Sequence, residues 1–254
     1  MNVCVCVKHI PDPNLPGEMA GERLKRSGVQ GTLDPGDEFG VEAGLQLKEA
    51  AGGEVTLVSM GPPDALEAIR KGLSMGADRA VLVGDEALAG ADALATATVL
   101  ARVMGRSEFD VVIAGVESTD GYTGTMPATL AELLEIPQVT FARRIEAAGD
   151  HVEVQRQTAD GYHVVHCPFP VLITVTAGAN EPRYPSFKGI MAAKRKPLEQ
   201  LSLGDLGLGA DDVVPAQAVV DVTAAEERKA GEVISDDGAA AARIADFLAA
   251  NKVI

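Results

Sequence analysis

Short apolar runs alternate with helical patterns through the first half of the chain. The runs are VCVCV at 3–7, EVTLVSM at 54–60, RAVLV at 79–83 and FDVVIAG at 109–115. Each has the length and β-branched content of a strand, and their alternation with helices predicts βα units around a parallel sheet. Leu66, Ile69 and Leu73 share one helical face ahead of Gly76, which is placed as a C-terminal stop. Ala93, Ala97, Leu100 and Met104 repeat the pattern before Gly105. In DPGDEFGVEAGLQLKEAAGG, 34–53, residues Phe39, Val41, Ala43, Leu45 and Leu47 also alternate as a strand would. A helix is expected there, because Asp37 and Glu38 suit its positive start and Lys48 its end. Residues 17–33 read as a polar hairpin or loop inserted between the first strand and this helix.

Beyond Thr140 the period changes. HVEVQRQ (151–157), an ADG turn and YHVVHC (162–167) predict an antiparallel hairpin, followed by a buried strand PVLITVT at 170–176. From 198 the chain is acidic, rich in Gly and Ala, and irregular up to a final helix. That helix is expected to take Ser235 as N-cap, Asp236 and Asp237 in its first turn, and Ile244, Phe247 and Leu248 along one face. The fold class expected is α/β and Rossmann-like: a mainly parallel sheet with helices on both faces, an antiparallel hairpin, and an extended C-terminal arm ending in a helix. The organisation expected is a core with hairpin at 1–179, a distinct segment at 180–197, and the arm and helix at 198–254.

Composition narrows the function classes. The 254 residues are 46% apolar, enough for a folded core, and no apolar run approaches the roughly 18 residues of a membrane span. A formal net charge of -15 opposes binding of nucleic acid or an anionic membrane by the whole surface. Cys4, Cys6 and Cys167 form no CxxC and no zinc spacing, and read as small apolar residues in a reducing compartment. The opening MNVCVCVKH enters a strand at once, without a basic n-region or cleavage site, so a cytoplasmic protein is expected.

The first candidate site is the strand-to-helix junction AGVESTDGYTGTMPATLAELL, 114–134. Pro127 stands at the expected helix start, with Leu130, Leu133 and Leu134 as the buried face. Backbone N–H groups at such a start, with Gly121, Gly124 and the hydroxyls of Ser118, Thr119, Thr123 and Thr125, form a candidate phosphate cradle. The same residues also suit a plain βα loop, and neither a Walker loop nor GxGxxG is present. Lys8 and His9, just past the first strand, face a ligand at that crevice edge or form a solvated strand end. His151, His163 and His166 lie in or near the hairpin with no Cys or carboxylate at ligand spacing, and read as surface or packing residues rather than a metal site. No Ser/His/Asp set and no carboxylate pair declares itself, so these residues describe a nucleotide-binding α/β protein without visible catalytic machinery.

One stretch differs from its surroundings. NEPRYPSFKGIMAAKRKP, 180–197, gathers three prolines and five Lys or Arg around a single carboxylate. By itself it reads as a crossover connection whose Phe packs inward, in preference to a binding loop.

Several stretches together resemble the beta subunit of electron transfer flavoprotein: VCVCVKHIPD, LDPGDEFGVEAGLQLKE, VSMGPPDALEAIRKGLSMGADRAVLV, VVIAGVESTDGYTGTMPATLAELLEIPQVT and NEPRYPSFKGIMAAKRKP. The resemblance implies an electron carrier rather than an enzyme. Its beta subunit holds AMP, or FAD in the electron-bifurcating branch, while an alpha subunit carries the electron-transferring FAD. Electrons come from acyl-CoA dehydrogenases of fatty acid beta-oxidation and related flavoenzymes, and pass to a flavoprotein-quinone oxidoreductase. Carried over by position, nucleotide contacts fall at Cys6, at Asp34, Pro35, Gly36 and Asp37, at Met60, and along Glu117, Ser118, Thr119, Asp120, Gly121, Tyr122, Thr123, Gly124, Thr125, Met126, Pro127 and Ala128. Asp120, Gly121 and Thr123 match the family's phosphate-holding pattern best.

Three positions depart from the family. Glu117 stands where relatives often have Gln, Asp34 where many have Asn, and Tyr122 where the FAD-binding branch tends to be acidic. Glu117 is accordingly expected to point toward base or ribose, or to be satisfied by a donor. The hairpin region also departs, keeping only Asp160 and Gly161 of the usual acidic and glycine run. The 180–197 segment corresponds to the family's dehydrogenase-docking loop, with Phe187 at its tip and Arg183, Tyr184, Lys188, Ile190 and Met191 around it. Arg183 and Lys188 would steer toward acidic partner surfaces, and Lys194, Arg195 and Lys196 face the alpha subunit or solvent. The last helix and arm are expected to pack on alpha. A stand-alone adenine-nucleotide sensor of the universal stress type shares the architecture and would instead be an ATP-binding homodimer.

Overall fold

A computed structural model describes residues 1–223, 231 and 233–254. In chain order its strands and helices begin β1 Asn2–Cys6, β2 His9–Pro11, β3 Met19–Ala20, β4 Arg23–Leu24, β5 Gly31–Leu33, α1 Pro35–Ala51, β6 Glu54–Met60, α2 Leu66–Met75, β7 Arg79–Val83, α3 Ala93–Met104, β8 Val111–Gly115 and α4 Met126–Leu133. They continue β9 Gln138–Ala148, β10 His151–Thr158, β11 Gly161–Pro168, β12 Val171–Val175, α5 Phe187–Ala193, β13 Leu198–Leu201 and α6 Ala240–Ala250. The chain forms two units, Met1–Val220 and Asp221–Ile254.

In the first unit one sheet runs β11-β10-β9-β12-β8-β1-β6-β7-β13, parallel from β9 across to β13 and antiparallel only through β9-β10-β11. Side chains of β1 alternate between its faces. Val3, Val5 and Val7 join the core under α1 and α2, while Cys4 and Cys6 join the core under α3 and α4. A parallel strand covered on both faces must be apolar at every position, which is why VCVCV shows no polar alternation. From β1 the chain steps through β6 to β7 on one side, then returns to place β8 on the other. Strand order therefore reverses between β1 and β8, where α/β sheets open a crevice beyond their strand C-termini.

The stretch at 34–53 is helical, and its glycines explain why the odd-numbered apolar residues do not make it a strand. A Cβ on Gly44 would lie 3.0 Å from a Val5 methyl, and one on Gly40 would lie 3.4 Å from Ile113. These two positions, one turn apart, let α1 lie close against β1 and β8. The inserted segment is a polar excursion as expected: β2 pairs antiparallel with β5, and β3 with β4.

Four expectations change. Residues 138–148 form a long strand where the sequence reading placed none. Its alternation is broken by a bulge at Phe141, which has φ 59° and donates its N–H to Thr174 Oγ1 at 2.9 Å. Residues 198–201 are not part of an irregular arm, because Leu198–Leu201 pairs with β7 as the sheet's edge strand. Leu133 is 44% exposed rather than buried, since the short α4 turns Leu130 and Ala131 inward. In the second unit Ala239, not Ser235, precedes the helix. Gly238, at φ 90°, separates Asp236 and Asp237 from its first turn, and their carboxylates accept from the N–H groups of Gly238 and Ala239. Ile244 and Phe247 on α6 are exposed. No helix among the described residues is long and apolar enough to cross a membrane.

Candidate nucleotide site

At the crevice between β1 and β8, the start of α1 meets the loop that follows β8. Asp34, fully buried, caps α1 by accepting from the Gly36 N–H at 2.9 Å. The same carboxylate accepts from the Thr119 N–H and from Thr119 Oγ1, both at 2.7 Å. It ties the helix to the loop across 85 residues of sequence. Asp37, one turn in, accepts from the Lys8 N–H at 2.8 Å. Asp120 has a side chain only 2% exposed and takes Lys8 Nζ at 2.6 Å on one oxygen and Arg26 on the other at 2.7–2.8 Å. Lys8 Nζ also donates to Ser118 Oγ at 3.2 Å.

The carried-over positions 34–37 and 117–128 therefore lie together, with Cys6 and Met60 at the ends of neighbouring strands on the α3 and α4 side of the sheet. The carboxylates, however, are spent inside the chain. Asp34, Asp37 and Asp120 shape the loop, so the side chain of Asp120 is not a free phosphate contact. The groups open to a ligand are the loop's donors. Among the described residues, no acceptor takes the N–H groups of Thr123, Gly124, Thr125 or Ala128, and Pro127 has none to leave unpaired. Tyr122 (φ 48°) and Gly124 (φ 63°) turn the backbone left-handed on either side of Thr123. Glu117 is exposed, its carboxylate 3.5 Å from where a Cβ on Gly124 would stand, and no donor satisfies it among the described residues.

Arg26 was missed by the sequence reading, because it sits in the inserted segment 94 residues from Asp120 and belongs to no motif. Lys8 faces the crevice instead of ending a solvated strand. His9 lies elsewhere, its Nε2 buried, 3.9 Å from Glu67 and without a hydrogen bond. The cysteines offer no chemistry here, since burial pushes the Cys4 thiol up to about 12 and that of Cys6 higher still.

The two titrating carboxylates have opposite signatures. Burial, and then the charge of Asp34, raise Asp37 well above the usual carboxylate range against the pull of the Lys8 and Gly115 N–H groups. The folded chain then holds this proton more tightly than the unfolded one, so its contribution to stability is present at low pH and lost as pH rises through the folded pKa. Replacing Asp37 with Asn is expected to flatten the decline in Tm that sets in as pH rises above about 4, where the unfolded chain begins to lose this proton. A steeper decline in the variant over the same range would show Asp37 to be a stabilising anion. For Asp120, burial pushes upward but is outweighed by the attraction and hydrogen bond of Lys8 and by Arg26, leaving the group below its usual range. Its contribution is present above about pH 4 and lost as pH falls through the lowered pKa.

The 180–197 segment lies on α1 and α2. Arg183 is not a free steering cation: its guanidinium meets Glu42 at 2.7 and 2.9 Å and Glu49 at 2.6 Å, and these two partners, Glu42 first, raise its pKa. Asn180 Nδ2 donates to the Phe39 carbonyl at 2.9 Å. Lys196 does not face outward either, donating to the Leu73 and Ala77 carbonyls at 2.8 and 2.6 Å at the end of α2. Between these anchors the expected loop tip is a short helix, α5, capped by Ser186. A Cβ on Gly189 would stand 2.3 Å from the Ser74 carbonyl oxygen, so only glycine allows this approach to α2. Tyr184 (95% exposed) and Phe187 (82% exposed) project from it, with Ile190 and Met191 half exposed beside them.

Comparison with known proteins places these features in context. A family model described as "Electron transfer flavoprotein domain" matches residues 23–206. The chain is similar to "Electron transfer flavoprotein subunit beta" of Mycobacterium tuberculosis (strain ATCC 25618 / H37Rv), with 40% identity covering 100% of this chain and 99% of that protein. Proteins of the same description from Thermoanaerobacterium thermosaccharolyticum (38% identity, 92% of each chain) and Bacillus subtilis (34% identity, 96% of this chain and 95% of that one) are also similar.

Proposed function

Because the chain belongs to the electron transfer flavoprotein family, on the side of its beta subunits, we propose that it binds AMP in the β1/β8 crevice and docks flavin dehydrogenases through α5. As a beta subunit it is one part of an electron-carrying flavoprotein rather than an enzyme acting on a small substrate. Its alpha partner would hold the electron-transferring FAD. The observation that carries the nucleotide assignment is the row of unpaired N–H groups from Thr123 to Ala128, flanked by the Lys8 ammonium. A phosphate there would accept from backbone donors at a helix start, where Lys8 and Arg26 balance the charges of Asp120 and Glu117. The adenine would lie against the apolar ends of β1 and β6, at Cys6 and Met60.

Three further assignments follow from this reading. Acyl-CoA dehydrogenases would be engaged by Phe187, with Tyr184, Lys188, Ile190 and Met191 around it, and Arg183 would hold the segment in place. The second unit, with Ile244 and Phe247 exposed on α6, would pack on the alpha subunit. Electrons would leave toward a quinone oxidoreductase.

The test is to purify the chain with and without a co-expressed alpha subunit, denature it, and identify the released small molecules by mass spectrometry. One AMP from the chain, with one FAD added when alpha is present, is the expected result. FAD released from the lone chain would move the protein to an electron-bifurcating role. ATP from a homodimer would favour a sensor, and no nucleotide at all would leave 117–128 as an ordinary turn.

A further inference from the structure

On the β10-β11 hairpin, away from the crevice, two imidazoles face each other. His151 Nε2 and His166 Nδ1 are 3.4 Å apart, with ring centroids 5.4 Å apart. Each ring turns its other nitrogen to a carboxylate: His151 Nδ1 to Asp150 at 3.0 Å, and His166 Nε2 to Glu153 at 3.6 Å. Glu153 is the cross-strand partner of His166, and His151 that of Pro168, so the imidazoles meet on the diagonal. If both rings direct their N–H at the carboxylates, two lone pairs point at one another and something positive belongs between them.

We propose that His151 and His166 form a two-imidazole site for a divalent transition cation such as Zn(II), Ni(II) or Cu(II). The spacing fits. A cation about 2.0–2.1 Å from each nitrogen and 3.4 Å between nitrogens gives an N–metal–N angle of roughly 110°, close to tetrahedral. With each ring centre about 1.1 Å behind its nitrogen, that geometry puts the centroids about 5.2 Å apart, and a straight hydrogen bond at the same 3.4 Å about 5.6 Å, so the observed 5.4 Å accommodates either. Asp150 and Glu153 occupy the positions of outer carboxylates that orient ligating histidines. Imidazole is a borderline ligand, which selects these metals over Mg(II) or Ca(II). Among the described residues no third His, Cys or carboxylate completes a protein site, so water supplies the remaining positions. Cys167 follows His166 but is buried on the opposite face of the strand. The competing arrangement is a hydrogen bond from His166 Nδ1 to His151 Nε2, which turns the His166 Nε2 lone pair toward the Glu153 carboxylate.

Zinc chloride titrated calorimetrically into the full chain, alone and with its alpha partner, tests this. One saturable site is expected. His151→Asn and His166→Asn should each weaken it by at least about tenfold, because the second imidazole then no longer acts as a tethered ligand. His163→Asn, on the other face of β11, should leave it unchanged, and a severalfold loss is expected in Asp150→Asn. Unchanged Tm in the metal-free variants confirms that the fold is retained. Zinc binding insensitive to both substitutions would overturn the proposal. So would absence of binding up to about 1 mM, with the two histidines titrating together in NMR as a proton-sharing pair.

Discussion

Replacing Phe187 with Asp is expected to slow reduction of the complex by a partner dehydrogenase by about thirtyfold or more, the effect of losing one aromatic anchor worth about 2 kcal/mol or more. Released nucleotide and Tm should not change, because Phe187 is 82% exposed and contributes little to its own chain's core. The cause lies in how the segment is held. Arg183 and Asn180 fix its entry on α1, Lys196 fixes its exit on α2, and Gly189 brings α5 against the Ser74 carbonyl. A preformed anchor loses little entropy on docking. Gly189→Val should therefore mimic the loss of docking with Phe187 intact, but with a lowered Tm, since its Cβ has nowhere to go. Stopped-flow flavin reduction, read alongside Tm, distinguishes the two. An unaltered rate in Phe187→Asp would remove the docking assignment.

The second large effect is on stability. Arg183→Met removes the charged partner of Glu42, which is 4% exposed, and leaves its buried carboxylate only two neutral donors, the N–H of residue 183 and Gln46 Nε2. Breaking such a pair from one side typically costs about 3–5 kcal/mol. Arg183 is itself about a third exposed, and water reaching Glu42 reduces the figure to about 2–3 kcal/mol. The double variant Arg183→Met with Glu42→Gln should recover much of that loss, because the stranded charge is gone. Urea unfolding of the single and double variants measures it. If the single variant is as stable as the parent, the ion pair is ornamental and the segment must be held by its other contacts.

Much of the fold was legible because its cues are local. VCVCV, RAVLV and FDVVIAG read as buried parallel strands, and the turn at Asp160 and Gly161 marks the hairpin that β10 and β11 form. What escaped the reading had no local signal. The Phe141 bulge breaks the period of β9, so a strand of eleven residues was not seen. Helix α5 has only seven residues and follows two prolines, too short for a 3.6-residue period to stand out. In α1 the seam is made by Gly40 and Gly44, which apolar periodicity does not count.

The site divides in the same way. The loop at 117–128 and the start of α1 were named from the sequence, but the use of their acidic residues was not. Whether Asp120 faces a ligand or neutralises Lys8 and Arg26 depends on residues 112 and 94 positions away. The same holds for Arg183, whose partner Glu42 lies 141 positions back. Long-range ion pairs of this kind change a residue from contact to support without altering its motif.

The proposed role of this chain, the beta half of an electron carrier fed by dehydrogenases, is tested by mixing the purified complex, anaerobically, with an acyl-CoA dehydrogenase and its acyl-CoA substrate, and following the flavin spectrum. Flavin reduction that requires both dehydrogenase and substrate, and does not occur with NADH alone, is the expected result. Reduction by NADH without dehydrogenase, or a complex that carries no flavin to reduce, would contradict it.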